Sequence, residues 1–301
     1  MVSRRGMMIG GLTTAGIAAG VGGLSLLALP STGCGCEPEA FPDISKIEEK
    51  TGLTIGVHIA GRSLFAGYRD YHRFALCSTF KWILAATVLR EVQQNRLRLD
   101  QMISFSKADL VPHAPVTEKY LTDGRLTVEQ LCHAILVHSD NVAANLLLRQ
   151  IGGPEAVTQF CRDNGDTLTR LDRYETELNS NLSGDERDTT TPEAMSRLML
   201  HIFTGESLSR SHTRRIENWM RESQTGKAMI RAGTPKIAVV ADKTGRGANG
   251  AVNDVAIIRM PKYGPLFLSI YTTGGTLTPE QHNAVIANLT TYIFKKLRSK
   301  A

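Results

Sequence analysis

Residues that favour extended backbone collect near the two ends of this 301-residue chain. Short strands are expected at 53–60 and 64–68, and strands return at 237–241, 252–259 and 266–271 in runs rich in β-branched residues. The middle reads as helices. Thr127-Val128-Glu129-Gln130 forms a capping box ahead of Leu131, Ile135 and Leu136, and Thr191-Pro192-Glu193 is a second helix start. A helix at 42–51 precedes the first strand. Another begins at Thr278-Pro279-Glu280-Gln281 and carries Val285, Ile286, Leu289 and Ile293 along one face. This order predicts an α+β fold, in which one antiparallel sheet is assembled from distant parts of the chain. Helices flank the sheet and an all-α subdomain is inserted.

The opening of the chain is a different kind of polymer. No side chain is charged between Arg5 and Glu37, and nine of the 27 glycines fall in that stretch. Arg4-Arg5 followed by a weak, glycine-rich apolar run resembles a twin-arginine export signal. Residues 1–36 are therefore assigned to export, with the folded domain at 37–301 and a periplasmic or secreted destination. A membrane anchor over 7–29 and lipoprotein anchoring at Cys34, after Ser31-Thr32-Gly33, are the alternatives. The formal charge of +6 becomes 33 − 29 = +4 once Arg4 and Arg5 are removed. That balance is small and dispersed, so no nucleic-acid partner is expected. Beyond the leader only Cys77, Cys132 and Cys161 remain, without a CxxC pair. Neither a zinc centre nor a disulfide framework is expected.

Ser-x-x-Lys is a common pattern, with roughly one chance match in a chain of this length. Two occur. Ser104-Phe105-Ser106-Lys107 lies in a polar stretch and is assigned to chance. Ser78-Thr79-Phe80-Lys81 opens the apolar run Trp82-Ile83-Leu84-Ala85-Ala86-Thr87-Val88-Leu89, a helix that must be buried. A serine at a helix start lies where free backbone N–H groups can stabilise an oxyanion. Lys81 follows one turn along the same face, within reach of the hydroxyl. Burial lowers a lysine pKa, so that its neutral amine can accept a proton. Taken alone, Ser78 is better read as a plain helix cap. Two further tripeptides follow in order. Ser139-Asp140-Asn141 comes after the helix capped by Thr127, and Lys243-Thr244-Gly245 closes the strand at 237–241. Singly, the first is a good helix start and the second a good turn.

Together the three sets resemble the active-site-serine penicillin-recognising enzymes, and the resemblance runs from about residue 40 to the C-terminus. Arg173-Tyr174-Glu175-Thr176-Glu177-Leu178-Asn179 is similar to the Ω-loop motif of class A β-lactamases, with Asp188 matching the carboxylate that pairs with the loop arginine. The chain is identified as a member of that class, with 37–301 as the serine β-lactamase catalytic domain. The resemblance implies Ser78 as nucleophile, and Lys81 or Glu175 acting through a water as the acylation base. It implies backbone N–H groups of Ser78 and Arg246 as the oxyanion hole, and Ser139 as proton donor to the leaving nitrogen. Asn141 would hold the substrate's side-chain amide, and Lys243, Thr244 and Gly245 would bind its carboxylate. Glu175 would activate the hydrolytic water positioned with Asn179, and His113 would line the entrance. The implied ligands are small-molecule β-lactams. No cofactor or metal is expected, and the mature form is expected to be soluble and monomeric.

Departures from the family pattern are visible as well. Thr176 stands where many members have proline, so the Glu175–Thr176 bond is either cis or the loop is rearranged. Val252 occupies the place of an arginine that helps bind the carboxylate. Arg246 would either replace that charge or point to solvent. Cys77 reads as a small buried residue behind the nucleophile. Its bridging partner in some carbapenem-hydrolysing members corresponds here to Gly247. A peptidoglycan D,D-peptidase shares Ser78, Lys81, Ser139 and Lys243, and a covalent penicillin-sensing receptor is the non-enzyme alternative.

Overall fold

The computed structural model describes residues 40–261 and 264–299; the stretch 1–36 assigned from the sequence to export, with Cys34, lies outside them. Helix α1 (Ile44–Thr51) leads into strands β1 (Leu53–Ala60), β2 (Phe65–Tyr68) and the short β3 (Phe74–Ala75). Next come α2 (Phe80–Gln93), the hairpin β4 (Met102–Ser104) and β5 (Arg125–Thr127), then α3 (Val128–Val137), α4 (Asn141–Gln150) and α5 (Pro154–Asp163). After β6 (Thr189–Thr190) the chain forms α6 (Pro192–Thr204), α7 (Arg210–Arg221) and α8 (Ile230–Gly233). It closes with β7 (Val239–Arg246), β8 (Val252–Arg259), β9 (Leu266–Gly274) and α9 (Pro279–Ser299).

The main sheet has the order β2-β1-β9-β8-β7, antiparallel throughout. Distant ends of the chain meet at its centre, where Val57 opposes Ile270 across β1 and β9. This is the expected α+β architecture. Alternate residues on each strand feed two cores. Ile55, Val57, Leu268 and Ile270 pack on one face with Ile44 of α1 and Ile286, Leu289 and Ile293 of α9. Val255, Ile257, Phe267 and Tyr271 pack on the other face with the helical subdomain. Helix α2 runs through that second core, and every residue from Phe80 to Leu89 is buried. A helix that is apolar on all sides has nowhere else to go. Truncating a side chain such as Trp82, with no exposed surface, costs about 3–5 kcal/mol in a core of this kind.

The caps fall where expected. Thr127 and Gln130 complete the capping box of α3, and Thr191 caps α6 ahead of Pro192. One strand differs from expectation. Lys243-Thr244-Gly245 does not close β7 but lies inside it, paired with Val255, Asp254 and Asn253 of β8. Residues 237 and 238 fall outside the strand, where the Ala238 amide donates to Pro235 O at 2.8 Å. Ladder pairing with β8 overrides the turn preference of the tripeptide. Among the described residues no helix is long and apolar enough to cross a membrane.

Candidate active site

Ser78 sits in a single 3₁₀ turn, Cys77–Thr79, that runs directly into α2. Cys77, immediately before it, takes a positive φ of 44°. A non-glycine residue persists in that region only where its surroundings fix it, and active sites are where such residues gather. Lys81 lies one turn on. Its Nζ donates to Ser78 Oγ at 2.9 Å, to Ser139 O at 2.9 Å and to Asn141 Oδ1 at 2.5 Å, and lies 2.7 Å from Glu175 Oε1. Burial pulls the Lys81 ammonium below its ordinary range, and the neighbouring Glu175 carboxylate opposes that shift. The Ser104/Lys107 pair has no such setting: Ser104 ends β4 and is exposed.

Ser139 precedes α4 with φ 61°, and Asp140 caps that helix by accepting from the Ala143 amide at 2.8 Å. The other oxygen of Asp140 accepts from the Val116 and Thr117 amides at 2.9 Å each, which fixes the loop against its neighbour. Ser139 Oγ faces two lysines. Lys243 Nζ donates to it at 3.1 Å, and Lys81 Nζ lies 3.4 Å away. Lys243 has no exposed surface, and burial, reinforced by the Lys81 charge, lowers its ammonium to about 7. Thr244 Oγ1 donates to Thr225 Oγ1 at 2.6 Å. Gly245 is needed for close approach. A Cβ there would stand 3.0 Å from Leu76 O, 3.1 Å from Cys77 Cβ and 3.2 Å from the Ser78 amide nitrogen. β7 therefore passes directly beside the backbone of Ser78.

Glu175 belongs to a loop rather than to a helix or strand. Its side chain is buried, with Oε1 3.4 Å from Ser78 Oγ and Oε2 accepting from Asn179 Nδ2 at 2.6 Å. The Glu175–Thr176 bond is cis. Asn145 of α4 grips Glu175 from both sides, accepting from its amide at 2.9 Å and donating to its carbonyl at 2.8 Å. At the neck of the loop Arg173 Nε meets Asp188 Oδ2 at 2.6 Å, and Asp188 Oδ1 accepts from the Asp172 and Arg173 amides.

Two serine hydroxyls, two lysines and a carboxylate thus converge from a helix start, two loops and a strand. The chain matches the Beta-lactamase enzyme family over residues 40–297. It is 42% identical over 246 residues to the carbapenem-hydrolysing β-lactamase KPC of Klebsiella oxytoca, covering 81% of this chain and 84% of that protein. It is 40% identical over 255 residues to β-lactamase L2 of Stenotrophomonas maltophilia, covering 83% of each. The solved structure of a class A β-lactamase representing the last common ancestor of Gram-negative bacteria superposes with a TM-score of 0.84 at 41% identity. That match covers 86% of this chain and 99% of the other. The chain belongs to the class A β-lactamases.

In this β-lactamase the remaining sequence candidates are placed as follows. The Arg246 guanidinium donates to Asn283 Oδ1 of α9, with Glu280 also acting on it. His113 is exposed, with φ 64°. Its ring meets His138 O at 3.0 Å, and its carbonyl accepts from the Asn141 amide at 3.0 Å. Cys77 is buried and unpaired, and burial pushes its thiol far up. A Cβ on Gly247 would stand 2.7 Å from Cys77 Sγ, so position 247 does face Cys77. Sequence reasoning passed over Asn145 and Thr225. Asn145 could have been noticed as a polar residue four positions after Asn141, on the same face of an otherwise apolar helix. Thr225 gave no signal.

Proposed function

We propose that this enzyme opens the amide bond of penicillin- and cephalosporin-type β-lactams through an ester on Ser78, hydrolyses that ester and so confers resistance. The observation that carries the proposal is the Glu175 carboxylate, buried within 3.4 Å of the nucleophile and hydrogen-bonded to Asn179. A D,D-peptidase or a penicillin-sensing receptor has no use for it, because both stall or transfer the acyl group without a base for water.

The strained β-lactam carbonyl is attacked by Ser78 Oγ. Its proton leaves towards Lys81 Nζ at 2.9 Å, or towards Glu175 through a water. Lys81 and Glu175 are 2.7 Å apart, so either route ends in one hydrogen-bonded pair. The oxyanion is met by the N–H groups of Ser78 and Arg246, and losing one such donor raises a barrier by about 3–4 kcal/mol. Ser139, between the two lysines, passes a proton to the departing nitrogen. Lys243 and Thr244 anchor the substrate carboxylate, and Asn141 holds its side-chain amide. Asn179 Oδ1 is buried with no protein donor, which suits it to accept from the water that Glu175 deprotonates. Export by the Arg4-Arg5 leader would place this chemistry outside the cytoplasmic membrane. There β-lactams meet cell-wall synthesis.

Nitrocefin mixed with the mature enzyme tests the reading. Continuous turnover supports it; slow leakage after a burst would indicate a peptidase, and a single stoichiometric burst a receptor.

A further inference from the structure

The Ω loop and the sheet are tied together just beyond the catalytic residues by two asparagines that reach into each other's segment. Asn181 Nδ2 donates to Ala248 O at 3.1 Å, to Asn249 O at 3.3 Å and to Thr273 Oγ1 of β9 at 2.8 Å. Asn249, in the turn between β7 and β8, returns the contact by donating to Ser180 O at 3.2 Å and Asn181 O at 3.0 Å. Beside them the Ala248 amide donates to Asn179 O at 2.9 Å, and Thr273 Oγ1 donates to Asn249 O at 3.3 Å. Both asparagines have left-handed backbones, with φ of 44° at Asn181 and 52° at Asn249. Asparagine and glycine tolerate that conformation where other residues are strained. Each side chain therefore bonds across a backbone shape that few other residues would accept.

We infer that Asn181 and Asn249 form a clamp that holds Asn179 and Glu175 in register with the carboxylate-anchoring strand β7, and that this clamp serves deacylation. The chain of contacts is short. Asn179 receives Ala248 N on its carbonyl and holds Glu175 Oε2 through its amide, while Ala248 follows β7 by one residue after Gly247. Neither asparagine touches Ser78, Lys81, Ser139 or Lys243, so acylation with Lys81 as the base does not depend on them. They are positioning residues: they act on the water through Asn179 and Glu175. Because each hydrogen bond competes with solvent, any one contributes little, and the clamp works through the number of bonds closed together. Misplacing a catalytic group by a fraction of an ångström to an ångström lowers a rate by about tenfold to 100-fold.

This inference rests on the reading of Glu175 as deacylation base, and the test separates the two. Asn249→Gly and Asn181→Gly keep the left-handed backbone and remove the amide. Asn249→Asp keeps size and shape but sets an acceptor against two carbonyls. With benzylpenicillin, each variant should show an acylation burst at the parental rate followed by a slow steady state. kcat and KM should fall together, about tenfold to 100-fold, while kcat/KM holds and acyl-enzyme accumulates in the quenched mass spectrum. Thermal unfolding of the same samples checks that each variant is folded at the assay temperature. Unchanged kcat in folded variants, or a fall in kcat/KM that matches kcat, would overturn the clamp. Glu175→Ala runs alongside. If it stalls as acyl-enzyme while Asn249→Gly turns over like the parent, only the clamp fails. If Glu175→Ala itself turns over, the underlying reading fails.

Discussion

The two halves of this active site are held by different kinds of structure. Ser78 lies in the 3₁₀ turn that leads into a helix buried for its first ten residues, Lys81 lies on that helix, and Lys243 lies on a strand paired along its length. Their positions follow from core packing and sheet register, which cannot shift by a little. Glu175 and Asn179 lie on a loop whose place depends on individual polar contacts: Arg173 to Asp188, Asn145 to Glu175, and the paired Asn181 and Asn249. On the proposed roles, the nucleophile belongs to the scaffold and the base for water to a tethered segment. A segment held by few apolar contacts and many polar ones is the part most readily loosened by substitution.

That contrast can be broken at several points, in decreasing order of effect. Ser78→Ala removes the proposed nucleophile without disturbing the core. Its kcat should fall by about 10⁶, the scale of nucleophile removal in serine hydrolases, with no acyl-enzyme formed. Residual turnover near the parental rate would place the chemistry elsewhere. Asp188→Ala orphans Arg173 and the Asp172 and Arg173 amides at a fully buried carboxylate. Breaking such a pair costs about 3–5 kcal/mol, concentrated here in the loop. Steady-state turnover should fall steeply while the acylation burst in stopped-flow survives. An equal loss in both phases would mean that the loop also supports Ser78.

The next prediction concerns Lys243. Its ammonium is lowered to about 7 by burial, so the free enzyme loses the anchoring charge as pH rises through that value. For a carboxylate-bearing substrate, kcat/KM should decline about tenfold per pH unit above about 7. Stability should move the other way. The unfolded chain, with an ordinary lysine, retains a proton between about pH 7 and 10 that the folded chain has released, so this group's contribution to stability rises with pH across that window. A flat kcat/KM profile from pH 7 to 9 would show that the charge is maintained by other means. Arg246→Ala is the smallest change expected. The guanidinium is committed to Asn283 and faces Glu280, and exposed contacts of this kind are worth about 0–1 kcal/mol. The Michaelis constant for penicillins should shift by less than about fivefold; a much larger shift would make Arg246 an anchor for the carboxylate.

The same contrast explains what could be read from the sequence. Ser78 and Lys81 were legible because a cheap motif stood before an unusually apolar helix, and the segregation of strands to the chain ends announced the sheet. Glu175 and Asn179 were legible only through the resemblance of their loop, since charge and spacing alone would leave them as solvated loop residues. The Lys243-Thr244-Gly245 segment was read as a turn because its local chemistry favours one; the pairing that makes it strand comes from β8. Asn145 was hidden by its apolar helix. Asn181 and Asn249 stand 68 positions apart on the surface, and no periodicity relates them. Contacts that join loops through a few polar atoms leave no pattern in the chain, whereas buried faces do.

Mass spectrometry of Glu175→Ala after mixing with benzylpenicillin tests the division of labour most directly. Ser78 should still be acylated, and the protein should then persist at a mass increased by one intact substrate molecule. Rapid hydrolysis with only the unmodified mass recovered would contradict it, because the base for water would then lie outside the loop.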